Sequence, residues 1–120
     1  MQLSQISEKY TAHPLTGDLM STLGKSQNVH LKGLVGSLQA AFASGYIKKS
    51  GKPQFFIQKD KEEAAYLYND LQNLLGSEGI YFFSSTYKRS IHFGQEDPTN
   101  IILRMEVLNA LKNNQRPIIV

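Results

Sequence analysis

Three stretches of the chain place apolar residues at helical spacing, and each predicts an amphipathic helix. The apolar positions are Leu15, Leu19, Met20 and Leu23; then Ala64, Leu67, Tyr68, Leu71, Leu74 and Leu75; then Ile101, Ile102, Met105, Leu108 and Leu111. His13-Pro14 and Gly24 are suitable boundaries for the first helix. Residues 38–46 are alanine-rich and uncharged, which is typical of a helix buried on most of its faces.

Capping residues mark the ends of the two later amphipathic helices. Asp60 and Glu63 have the spacing of a capping box, in which the two side chains satisfy amide groups at the start of a helix. Gly76 stands where that helix is expected to end. Asp97 and Pro98 are suited to the N-cap and first position of the last helix, after an irregular polar segment at 84–96.

Four short apolar segments alternate with these helices and predict strands at 29–35, 54–58, 80–83 and 117–120. The segment at 54–58 is of the kind that is buried on both faces of a parallel sheet. The alternation predicts an α/β fold, with helices on both faces of a parallel sheet. Because the last strand is apolar to its final residue, we expect a fragment of a longer protein. We expect a helical lead-in at 1–26 and an α/β subdomain at 27–120.

Composition removes several classes of protein. The chain has no cysteine, which excludes a disulfide framework, cysteine-ligated metals and cysteine nucleophiles. It has neither an apolar run of about 18 residues nor the start of a signal peptide, so we expect no membrane partner and a cytoplasmic location. The three histidines are far apart, without carboxylates at ligand spacing, and predict no metal site.

The charge of the chain is unevenly distributed. Its net charge is +3, with an excess of basic residues before residue 59 and a slight acidic excess after it. A basic half permits contact with nucleic acid or another polyanion, although lysines on a solvated surface have the same composition. The candidate polyanion contacts are Lys48, Lys49, Lys52, Lys88 and Arg89.

A glycine-bearing turn between a predicted strand and a predicted helix has the arrangement of a phosphate-binding loop. Aligned on that motif, the segment reads Gly33-Leu34-Val35-Gly36-Ser37-Leu38-Gln39-Ala40. Leu38 replaces a glycine, Gln39 replaces the lysine that binds the β and γ phosphates, and Ala40 replaces the hydroxyl residue that binds magnesium. The residues leave two interpretations open, a degenerate phosphate loop and a plain tight turn. Neither hydrolyses ATP, so we predict no catalytic residue.

The same segment, with the residues that follow it, resembles a known family. Lys32–Ala40 is similar to the Gly-Leu-x-Gly-Ser stretch near the start of the bacterial transcription-repair coupling factors. The resemblance covers roughly residues 28–120, through Phe55-Phe56-Ile57, the helix at 63–71, the strand at 80–83, Arg104 and the final strand. Many members of the family have a proline and a tryptophan where this chain has Ser84–Lys88, so the shape of that loop is not transferred.

The resemblance implies a structure and a role. The module at the start of that family is similar to the excision-repair subunit UvrB, and its first subdomain is RecA-like with a degenerate phosphate loop. A parent protein of this kind is an ATP-dependent DNA translocase that displaces stalled RNA polymerase and recruits UvrA in nucleotide excision repair. Its ATP and magnesium are bound by motor domains elsewhere in the chain, so we expect no cofactor here.

We therefore expect a non-catalytic structural subdomain that contacts neighbouring domains of its parent chain. The main UvrA contact of the family belongs to a later subdomain, so no UvrA-binding residue is transferred. One alternative is an α/β domain that binds a nucleotide or polyanion without hydrolysis. Another is an unrelated α/β interaction module, which antiparallel pairing of 54–58 with 80–83 would favour.

Overall fold

The computed structural model describes residues 2–84, 98–113 and 116–120. Their helices and strands are α1 (Leu3–Ala12), α2 (Pro14–Leu23), α3 (Leu38–Ser50), β1 (Gln54–Phe55), α4 (Lys61–Leu75), β2 (Ile80–Tyr81), α5 (Pro98–Lys112) and β3 (Ile118–Ile119). The chain divides into two compact units. The helical unit comprises Met1–Lys52 and Asn69–Glu78, and the sheet unit comprises Pro53–Tyr68 and Gly79–Val120.

The helical unit is built mainly by α1 packing against α3. The alanine-rich α3 is buried over most of its length, as predicted, and ends at Gly51 in the left-handed conformation. Helix α2 confirms the boundaries expected from the sequence, because it begins at Pro14 and ends immediately before Gly24. The Nδ1 atom of His13 accepts a hydrogen bond from the backbone N–H of Leu15 and caps this helix.

The strand predicted at 29–35 is wrong. This segment is irregular, it pairs with no strand among the described residues, and Val35 is 80% exposed. A short strand is held by ladder hydrogen bonds with a neighbour, and alternating apolar residues do not supply that neighbour. Among the described residues, the sheet consists of β1, β2 and β3.

The sheet unit contains a parallel three-stranded sheet in the order β1-β3-β2. Gln54 of β1 and Ile80 of β2 are both in register with Ile118 of β3. The predicted α/β class with a parallel sheet is confirmed at this level. The antiparallel pairing that would favour an unrelated module is absent, because β1 and β2 each pair parallel with β3.

Helix α4 confirms the strongest periodic pattern in the sequence. Its predicted apolar positions include the buried residues Leu67, Leu71 and Leu74. One of the two hydrogen bonds of the predicted capping box is present: the Asp60 carboxylate accepts a 2.9 Å hydrogen bond from the backbone N–H of Glu63. Gly76 follows the helix with a φ of 88°, the left-handed conformation expected at a helix end.

Two expectations of burial are wrong. Phe55 and Ile57, predicted to be buried on both sides of a sheet, are 62% and 83% exposed, so the face of β1 on which both side chains lie is largely accessible. The apolar stripe of α5 is also exposed, and α5 buries Val107 and Ala110 instead. Helix α5 does begin at Pro98 as predicted, whereas Asp97 and the polar segment before it lie outside the described residues, apart from Ser84.

Candidate functional site

The turn that precedes α3 has the backbone conformation of a glycine turn. Gly33 has a φ of 84° and Gly36 a φ of 57°, both in the left-handed region that side chains other than glycine rarely adopt. In the described part of the chain, no atom lies within 4 Å of the position that a β-carbon would take at either residue. Backbone conformation, rather than lack of space, is therefore what favours glycine here.

The first two amide groups of α3 already have acceptors. The N–H of Leu38 donates to the carbonyl of Val35 at 3.3 Å, and the N–H of Gln39 donates to that of Gly36 at 3.2 Å. In a phosphate loop such amides point at the anion. Two of the donors that would cradle a phosphate are thus used to close the turn.

The side chains at 38–40 bring no charge or hydroxyl to the turn. Leu38 and Gln39 are exposed, and Ala40 is buried with 1% of its surface accessible. Ser37, which is exposed, is the N-cap residue of α3, but its side chain makes no capping hydrogen bond in the described structure. Residues 37–40 therefore add no charged side chain to the partial positive charge of the helix dipole.

The candidate polyanion residues that the structure describes, Lys48, Lys49 and Lys52, are not gathered around this turn. Lys48 and Lys49 occupy the last turn of α3, roughly 15 Å along the helix axis from its start, where a cation is favourable beside the helix dipole. Lys49 Nζ lies 3.4 Å from the position of a β-carbon on Gly17 of α2. Lys52 is exposed beyond the end of α3, and Lys88 and Arg89 lie outside the described residues.

Beside the turn, the helical unit contains a cavity of about 480 Å³ that the sequence patterns did not predict. Leu34 and Leu38 contribute to its wall from the turn, and Tyr10 and His13 contribute from α1 and the start of α2. The Tyr10 and His13 rings stack with centroids 6.1 Å apart. The helical lead-in expected at 1–26 includes residues 3–12, but no pattern in it placed Tyr10 near these leucines.

A smaller cavity of about 230 Å³ lies in the sheet unit, lined by residues that follow the strands. Phe56, Phe82 and Val120 come from the carboxyl ends of β1, β2 and β3, and these ends share one edge of a parallel sheet. Nearby, the Arg104 guanidinium lies 4.9 Å from the centroid of the Phe83 ring. The cavity is lined both by aromatic side chains and by the charged residues Lys59, Asp60 and Lys61.

Residues 2–84, 98–113 and 116–120 hold no group of three histidine, aspartate or glutamate side chains arranged to bind a metal ion. Within the same ranges, no helix has the length and hydropathy required to cross a bilayer.

The chain is therefore an α/β chain with a small parallel sheet. Its glycine turn lacks the lysine and the hydroxyl residue that bind phosphate and magnesium in a phosphate-binding loop. The chain is similar to the transcription-repair-coupling factor of Bacillus subtilis (strain 168), with 29% identity over 90 residues. The match covers 75% of this chain but 8% of that relative. No family model matches the chain, and no solved structure matches it.

Proposed function

We propose that this chain is a non-catalytic structural segment of a protein of the transcription-repair-coupling type. On this proposal, residues 27–120 are a RecA-like α/β subdomain with a degenerate phosphate loop, similar to the first subdomain of UvrB, and residues 1–26 are a helical lead-in. The whole protein would be an ATP-dependent DNA translocase that meets RNA polymerase, UvrA and DNA. This segment would contact the neighbouring domains of that protein, in the cytoplasm.

The observation that carries the proposal is the start of α3. The glycine turn is kept, with Gly33 and Gly36 both at positive φ, while two amides of the helix start are bonded to carbonyls of the turn. Gln39 and Ala40 occupy the positions where a working loop has its lysine and its hydroxyl. A glycine turn that bonds its own amides and lacks the lysine and hydroxyl residue of a working loop supports a non-catalytic, structural role.

A titration with a fluorescent ATP analogue and magnesium, followed by anisotropy, tests this proposal on the 120-residue chain. Circular dichroism of the same sample establishes that the protein is folded. We expect no saturable binding below roughly 100 μM, which corresponds to about −5.5 kcal/mol. Binding tighter than this, competed by unlabelled ATP, would overturn the structural role and favour a nucleotide-binding domain without hydrolysis.

Two variants separate specific binding from general attraction of polyanions. Gly36→Glu places a carboxylate at the turn, whereas a Lys48→Glu/Lys49→Glu double variant reverses charge at the far end of α3. Loss of nucleotide binding in Gly36→Glu alone would support the nucleotide-binding alternative. Loss only in the double lysine variant would identify electrostatic attraction to the end of α3 and leave the turn without a ligand.

A further inference from the structure

We draw no further inference here: the strongest candidate, the cavity of about 480 Å³ beside the glycine turn in the helical unit, belongs to the site already described, and its lining includes side chains of opposite charge, Asp18 and Lys32, which indicate no single class of ligand.

Discussion

Gly45 of α3 and Tyr10 of α1 approach each other so closely that no side chain fits between them. A β-carbon on Gly45 would stand 2.5 Å from the carbonyl carbon of Tyr10 and 2.8 Å from the amide nitrogen of Thr11. These are backbone atoms, so the contact can be relieved only by moving one helix. The packing of α1 on α3 therefore depends on glycine at this position.

Gly45→Ala is expected to lower the free energy of unfolding by about 3 kcal/mol, because overpacking forces the two helices apart. The measurement is urea denaturation followed by circular dichroism at 222 nm. Gly17→Ala is the matched control, since the nearest atom to its β-carbon position is the flexible Lys49 Nζ at 3.4 Å. Better helix propensity should leave that variant unchanged or up to about 1 kcal/mol more stable. Equal stability of the two variants would contradict the close packing.

Gly36→Ala is expected to cost about 1 kcal/mol through backbone strain alone. The residue has a φ of 57°, and its surroundings in the described structure leave room for a methyl group. Gly24→Ala is the control, because Gly24 has a φ of −69° that alanine adopts without strain. Thermal denaturation of the two variants measures the difference. If Gly36→Ala melts with the parent chain, the turn does not hold the left-handed conformation in solution.

Asp60→Ala is expected to destabilise the chain by about 1 kcal/mol, because it removes the acceptor for the N–H of Glu63 at the start of α4. Asp60→Asn should retain most of that stability, since asparagine caps helices about as well as aspartate. Urea titration of both variants, with the exposed mid-helix variant Asn69→Ala for comparison, measures the effect. Equal losses for alanine and asparagine would show that the cap hydrogen bond contributes little.

Val107→Ala and Leu108→Ala should differ in stability although the residues are adjacent. Val107 is 2% exposed, so its truncation leaves a cavity that costs about 2 kcal/mol. Leu108 is 59% exposed, and its truncation should change stability by less than about 0.5 kcal/mol. Denaturant unfolding of the two variants compares them. The reverse order would mean that α5 buries the opposite face.

The helices differed in how well sequence could predict them because their polar residues are distributed differently. In α4 the charged and apolar positions occupy separate faces, so the pattern marked the side that packs. Helix α5 has only three charged residues, Arg104, Glu106 and Lys112, and both of its sides are largely apolar. The spacing therefore indicated a helix there without indicating which side is buried.

Two other features depended on contacts that are distant in sequence. Helix α1 buries Ser7 completely while Leu3 is 51% exposed, so the side of the helix that packs is not its most apolar side. For this reason no stripe of apolar residues in the sequence indicated which side of α1 is buried. The segment at 29–35 has the composition of a strand but lacks a pairing partner among the described residues. At the candidate site, the spacing of the glycines predicted the turn. The hydrogen bonds from the α3 amides to the carbonyls of Val35 and Gly36 depend on backbone geometry, which the sequence does not show.

The position of β3 between β1 and β2 has a consequence for synthesis of the chain. The central strand is the last of the three to leave the ribosome, and Gln54 is in register with Ile118, 64 residues further along. Until β3 emerges, β1 and β2 lack the neighbour to which each is bonded in the folded sheet. Local helices such as α1 and α3 can form early, but the sheet cannot assemble in step with translation. During that interval the nascent chain exposes Ile80, which is 4% exposed in the folded chain, as an apolar site that molecular chaperones are suited to protect.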